Sequence, residues 1–337
     1  MQPGTPVDST AGVPADVTVV IPTHNRRELL HRTLRSVLAQ TDVDLTVLVV
    51  DDGSVEDVTP SVEALGDPRV TVLRHPQARG VSAARNTGIA HATTTWLAFV
   101  DDDDVWAPTK LRAQLDALGA VPDARWAVTG AVDIDLAGRI SGWHLPLDVR
   151  DLAAPLLVRN HVPGGGSGVL AARDLVLAVG GFDEAISNLA DWDFYTRLAL
   201  ASPVAASMHF HIGYLVHAQG MAHDVQRSET EYAYLDVKYG HERRRRGVAL
   251  EQVDWRLYLA NLAYNADRIA TGIRLHAELV TRYRRWRSLR TIALGLAPKG
   301  VRHRRAAGWV SPAPSPDVEA EARAWLAPYA AGVPTPA

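Results

Sequence analysis

The 337-residue sequence has no cysteine, so neither disulfides nor thiolate metal ligands are available to it. Any bound metal must be held by Asp, Glu or His, or by a ligand's own oxygens, which points towards Mg2+ or Mn2+ chemistry. No apolar run approaches the roughly 18 residues of a membrane-spanning helix. The polar start MQPGTPVDSTAGVPAD lacks the charged-then-apolar layout of a secretory signal, and a cytoplasmic protein is expected. There is no internal repeat. What is present, 47% hydrophobic and 22% charged residues, is ordinary for a globular chain long enough for one large domain or two smaller ones.

The net charge of -3 hides an asymmetry. Of the 35 Lys and Arg and 38 Asp and Glu in the chain, residues 237–305 hold 17 and 5. A basic C-terminal part and an acidic remainder are expected to do different work.

From Val17 onward, short β-branched runs alternate with helical patterns. VTVVI, LTVLVV, RVTVL, TWLAFV and WAVTGAV read as strands, separated by RRELLHRTLRSVLAQ, GVSAARNTGIAHA and PTKLRAQLDAL, which read as helices. Strands apolar on both faces and separated by helices predict a mostly parallel sheet covered on both sides, whose ligands lie beyond the carboxyl ends of the strands. Three of those ends, IPTHN, VVDDGS and FVDDDD, carry polar or acidic residues. The last is part of WLAFVDDDDVW, where four adjacent carboxylates, Asp101 to Asp104, follow a buried-looking strand. Adjacent like charges repel and resist leaving water, a cost that a cation or a strongly donating ligand relieves. A solvated acidic turn is the plain alternative, and convergence of three strand ends argues against it.

Residues 131–225 contain strand-like pieces, the loop PGGGSG at 163–168, the turn GGFDE at 180–184 and a helix around DWDFYTRLAL. They read as the second half of the same domain. PGGGSG lacks the Lys-Ser/Thr ending of a P-loop and reads either as backbone lining an acceptor site or as a plain loop.

Taken together, VVIPTHNRRELLHRTLRSVLAQT, VVDDGS, DPRV, GVSAARNTGIAHA, AFVDDDDVWAP, GGFDE and DWDFYTRL resemble, in order and spacing, the family 2 glycosyltransferases with the GT-A fold. The likeness covers roughly residues 17–220. It implies an α/β GT-A domain over 17–225, with a Rossmann-like nucleotide-sugar-binding half at 17–130 and an acceptor half at 131–225. Around it are expected a disordered stretch at 1–16, a basic helical region at 226–310 and a loosely ordered tail at 311–337, apart from a short helix over DVEAEARAWL.

The implied activity is inverting transfer of a sugar from a UDP- or dTDP-type donor to a glycan, lipid-linked or small-molecule acceptor, in cell-surface glycan synthesis. By the resemblance, Pro22, Thr23, His24, Asn25 and Asp52 grip the nucleotide, with His24 standing where the family usually has Tyr. A carboxylate at 52 suits the imide N–H of uracil or thymine. Arg79 and Arg85 are similar to the family's basic residues near the nucleotide, with Arg79 favoured slightly. The acidic run looks like the DXD motif: Asp101 and Asp103 form the pattern, Asp103 contacts a Mn2+ or Mg2+ ion, Asp102 meets the ribose, and the register is open by one residue. His217 is similar in position to a further metal ligand. Asp191 aligns with the general base, Asp193 being the runner-up. Ala190 replaces the family's preceding Glu, which keeps open a catalytically inactive binding module. A nucleotidyltransferase is a second alternative, although IPTHNRRELL lacks the glycines its first loop needs.

HERRRRG and RYRRWRSLR interleave Arg with Trp and Tyr. They read as a peripheral contact with an anionic membrane at its inner face, as a dimerisation or lid element of a homodimer, or as a plain solvated helical face. Nucleic-acid binding ranks last, since no reader motif accompanies the charge.

Overall fold

The computed structural model describes residues 15–217, 224–265, 268–295 and 314–330. The expected disordered start therefore lies almost entirely outside the described residues. Nine strands form one mixed sheet: β1 (Asp16–Thr23), β2 (Asp44–Asp51), β3 (Val70–Arg74), β4 (Trp96–Phe99), β5 (Val105–Trp106), β6 (Trp126–Ile134), β7 (Ile140–His144), β8 (Val169–Ala172) and β9 (Val204–Leu215). Their order is β3-β2-β1-β4-β8-β6-β9-β5, with β7 paired to β6. The helices are α1 (Arg27–Leu38), α2 (Thr59–Glu63), α3 (Val81–His91), α4 (Lys110–Ala120), α5 (Ala153–Val158), α6 (Arg173–Ala178), α7 (Ala190–Ala201), α8 (Val225–Arg246), α9 (Val253–Asn265), α10 (Ile269–Thr281), α11 (Ser288–Gly295) and α12 (Pro316–Ala330).

The expected α/β class is the one observed. β1, β2, β3 and β4 run parallel, and β1 and β4 are buried almost throughout, as a sheet covered on both faces requires. Their register matters most for the site. Thr23 pairs with Asp51 and Val20 with Phe99, so the carboxyl ends of three strands finish at one edge. The second half changes sense: β8 runs antiparallel to β4 and β6, while β6 and β9 pair in parallel.

Two sets of contacts fix the helices that border this edge. Phe182, in the GGFDE turn, packs between Phe99 of β4 and Phe194 of α7, with ring centroids at 5.1 and 4.2 Å. Asn86 of α3 clamps the same turn, accepting from Phe182 N at 2.8 Å and donating to its carbonyl at 2.9 Å. The spacing of these motifs thus has a mechanical reading: an amide and three aromatic rings set α7 against the end of β4.

The C-terminal helices are built onto this core. Tyr232, Leu235 and Tyr239 of α8 join the main core cluster. Leu326 and Tyr329 of α12 are buried against Val105, Ile134 and Leu215, so the helix expected over DVEAEARAWL is present, runs on to Ala330 and packs onto the sheet. An amphipathic segment is stabilised by the apolar face it finds, and only tertiary structure shows that face. Among the described residues no helix is long and apolar enough to cross a membrane. Leu326→Ala is expected to lower unfolding stability by about 2–4 kcal/mol, measured by urea denaturation; an unchanged midpoint would mean the helix does not dock.

Candidate active site

The strand ends and the start of α7 surround a cleft of about 380 Å3. Pro22, Thr23, His24, Asp52, Arg85, Asp101, Asp102, Asp103, Asp191 and His217 all line it, so ten of the residues singled out from the sequence come together. Asn25 and Arg79 do not.

At one end, Asp52 is held from three sides. Its Oδ1 accepts from His75 Nδ1 at 2.7 Å and from Arg79 N at 2.8 Å, and its Oδ2 accepts from Gly80 N at 2.7 Å. An ionised carboxylate has about four acceptor positions, which leaves Oδ2 one to offer the cleft. His24 Nδ1 lies 2.8 Å from the Asp52 carbonyl and its Nε2 lies 2.8 Å from Asn25 Nδ2. Because a carbonyl only accepts, the assigned tautomer carries its proton on Nδ1. The ring is thereby fixed at the rim of the cleft. Asn25 has φ 57 and its Oδ1 accepts from Val55 N at 2.8 Å. It ties two loops together and does not face the cleft.

The two arginines exchange places relative to the slight preference above. Arg79 precedes Gly80, whose φ of 96 turns the chain into α3. Its side chain is 50% exposed and lies 3.8 Å from Glu184, contributing only its backbone N–H. Arg85, one turn into α3, is buried, pairs with Asp101 and lies with its guanidinium 4.9 Å from the centroid of Phe182. Burial of an arginine without such a partner is costly.

The acidic run divides in two. Asp101, Asp102 and Asp103 face the cleft, while Asp104 is fully buried beneath them. Its Oδ2 accepts from Ser167 Oγ at 2.5 Å and its Oδ1 from Leu215 N at 2.9 Å. Burial above all, then the charges of Asp103 and Asp101, pushes the Asp104 carboxyl well above the ordinary range. Asp102 rises for the same reasons, burial first and Asp103 second, opposed by Arg26 and Thr23. Thr23 Oγ1 donates to Asp102 Oδ2 at 2.7 Å. Arg26 Nη1 bridges Asp102 Oδ1 at 3.1 Å and Asp103 Oδ2 at 2.8 Å.

Sequence reading missed Arg26 and Ser167. Arg26 looks like a surface residue at a helix start, and Ser167 meets the run across 63 residues of chain. The signal for Ser167 lay in PGGGSG itself. A Cβ on Gly166 would overlap the Arg85 guanidinium and approach Asp101 to 2.8 Å, while Gly164 and Gly165 take positive φ and a Cβ on Gly168 would meet the Pro163 carbonyl, so an ion pair accounts for the glycine at 166 and the backbone path for the others.

His217 Nε2 lies 2.9 Å from Asp103 Oδ2. This is a hydrogen-bond distance, and Arg26 shares the same carboxylate oxygen. By donor type, an imidazole nitrogen and a carboxylate are ligands that Mn2+ or Mg2+ accepts. Among the described residues no group of three or more His, Asp or Glu could hold one, so water and ligand oxygens would complete the shell.

Across the glycine loop stands Asp191, in the first turn of α7. Its Oδ2 accepts from Asn160 Nδ2 at 3.2 Å and its Oδ1 from Trp192 N at 2.8 Å. Ala190 is buried in the core, and Asn160 supplies a side-chain hydrogen bond to the Asp191 carboxylate. Burial raises the Asp191 pKa to about 6, against the lowering effects of the Trp192 N–H and Arg85. Asp193 faces the other way. It is fully buried and held by Arg197 at 2.7 Å and Lys238 at 2.7 Å, with Tyr239 Oη also donating to it.

The family model described as Glycosyl transferase family 2 matches residues 18–144. The chain is 34% identical over 210 residues to the pre-mycofactocin glycosyltransferase of Mycobacterium tuberculosis, covering 58% of this chain and 43% of that protein. It is 32% identical over 102 residues to the Escherichia coli UDP-Glc:alpha-D-GlcNAc-diphosphoundecaprenol beta-1,3-glucosyltransferase WfgD, covering 30% of this chain and 40% of that protein. The chain thus spans less than half the length of either. The crystal structure of S. aureus TarS 1–349 in complex with UDP-GlcNAc has a TM-score of 0.56 at 15% identity, covering 86% of this chain and 92% of that one. At that identity the likeness concerns the fold, which is GT-A-like.

Ser167→Ala removes the hydroxyl donor to the buried Asp104 carboxyl. A loss of about 1–3 kcal/mol is expected, read by urea denaturation against the wild type.

Proposed function

Because residues 18–144 match the family model of glycosyl transferase family 2, we propose that the chain is such a transferase and moves a sugar from a nucleotide diphosphate donor to an acceptor hydroxyl, with inversion at the anomeric carbon. One observation carries this reading. A carboxylate raised to about 6, Asp191, stands across one cleft from a carboxylate cluster whose protein counterions are arginines. That is the layout of a base facing a site for a polyanion.

In this mechanism Asp52 accepts a hydrogen bond from the imide N–H of a UDP- or dTDP-type base, beside the fixed ring of His24. Asp102 receives a ribose hydroxyl. Asp103 and His217 would hold a Mn2+ or Mg2+ ion, with Asp101 nearby. Such an ion supplies Lewis-acid stabilisation to a departing diphosphate. Arg26 and Arg85 neutralise the carboxylates before donor binds, and their guanidinium groups are well formed to receive phosphate oxygens. Asp191 takes the proton from the acceptor hydroxyl as that oxygen attacks the anomeric carbon from the face opposite the nucleotide. Asn160 holds the carboxylate in place, which answers the objection raised by Ala190. The similarity to WfgD, a transferase from UDP-Glc to alpha-D-GlcNAc-diphosphoundecaprenol, supports a UDP donor and an acceptor on a lipid diphosphate.

Titration calorimetry with UDP, dTDP and GDP, each with Mn2+ and with a chelator, tests the donor half. UDP or dTDP is expected to bind with metal and at least tenfold more weakly without it. Absence of binding by all three nucleotides in both conditions would sink the reading. For the acceptor half, Asp191→Asn is expected to lower kcat by about 10^2–10^4-fold while nucleotide affinity stays the same. The sign of the pH dependence follows from the raised pKa: the base works ionised, so activity is full above about pH 6 and falls as pH drops through that value. A kcat/KM profile flat down to pH 5 would assign the base elsewhere.

A further inference from the structure

The turn between α10 and α11 carries apolar and basic groups that the cleft does not use. Residues 282–289 read RYRRWRSL. Trp286 is 64% exposed and Leu289 is 51% exposed. Scattered exposed apolar residues are ordinary, but these two share one turn with Arg282, Arg284, Arg285 and Arg287, all exposed. Among the described residues, Arg284 and Arg287 have no carboxylate partner, whereas Arg285 lies 3.5 Å from Asp254.

The turn is formed, not loose. Arg284 takes φ 53, Arg285 N donates to Leu279 O at 2.9 Å and Ser288 N to Arg285 O at 2.9 Å. Ser288 is buried, so the backbone is anchored while the indole and the leucine project.

Its anchorage leads to Asp191. Asp254, which pairs with Arg285, also lies 3.6 Å from Arg159. Arg159 adjoins Asn160, the residue that orients Asp191. The next residue, Trp255, stacks on Tyr232 at 4.6 Å and lies 6.2 Å from Trp192, the neighbour of Asp191. Ion pairs and stacked rings therefore connect the turn to the acceptor side of the cleft.

We propose that this Arg-flanked tip docks the protein on an anionic lipid surface, with Trp286 and Leu289 entering the interface. Indole is suited to the headgroup level of a bilayer, and arginines on one face attract anionic lipids. The docked turn holds the acceptor end of the cleft close to lipid-borne hydroxyls. That last link rests on the glycosyltransferase reading above; the docking itself does not.

The test is flotation of the full chain, without nucleotide, on vesicles of phosphatidylglycerol with phosphatidylcholine and on vesicles of phosphatidylcholine alone. Wild type is expected to float with the anionic vesicles only, and less as salt rises. The double variants Trp286→Ser with Leu289→Ser, and Arg284→Gln with Arg287→Gln, are each expected to weaken flotation at least tenfold. A UDP titration unchanged in both variants would show that they are folded and that the cleft is not involved. No flotation of the wild type, or variants floating as well as wild type, overturns the proposal. So does a wild-type dimer in sedimentation that Trp286→Ser with Leu289→Ser converts to monomer, since the tip would then be an interface between copies of the chain.

Discussion

Four consecutive carboxylates can follow a buried strand only if the protein answers each of them separately, and most of the site is arranged around that requirement. Arg85 answers Asp101, Thr23 and Arg26 answer Asp102, and Arg26 and His217 answer Asp103. Asp104 receives a serine hydroxyl and a backbone N–H. The first three answers come from positive or polar groups at the edge of a cleft, where a ligand can take over part of the work. The fourth is sealed in the core. The neighbouring charges add to burial in raising Asp102 and Asp104, and their hydrogen-bond partners limit that rise. The same economy explains the glycine at 166, where the backbone must pass close to a buried ion pair.

Local signals carried much of this in the sequence. The β-branched runs identify β1, β2 and β4, and with them the edge at which their ends converge, because parallel strands buried on both faces leave little doubt about direction. The carboxylates at 52, 101, 102, 103 and 191 were legible for the same reason: they sit immediately after those strands or at the start of a helix. What stayed hidden depends on distant partners. Nothing in DDDD distinguishes Asp104 from its neighbours until β9 and the glycine loop close over it. Arg79 and Arg85 differ in sequence only by position around a helix start, and it is the face of α3 turned towards Asp101 that takes Arg85 inward. The antiparallel pairing of β8 with β4 and β6 is a long-range choice that periodicity does not encode, and the docking of α12 depends on a surface made by β5, β6 and β9.

The aromatic groups do a different job from the charges. Phe99, Phe182 and Phe194 set the position of α7 relative to the strand ends, so the two carboxylate sites are spaced by packing that resists compression. Trp192, Tyr232 and Trp255 continue this contact outward into the C-terminal helices. The basic third of the chain is thus mechanically continuous with the helix that carries Asp191.

Asp104 also has a meaning for how such a protein can be recombined. It is the bolt between β4, the glycine loop and the end of β9, fastening the first half of the sheet to the second through two hydrogen bonds in the dry interior. The halves are therefore not interchangeable modules. A second half transplanted from elsewhere would have to bring a hydroxyl at position 167, a residue without a side chain at 166 and a free N–H at 215, or else leave a buried carboxyl with nothing to hold it. Diversity among chains built this way is accordingly easier to accumulate in the outer helices than at the seam.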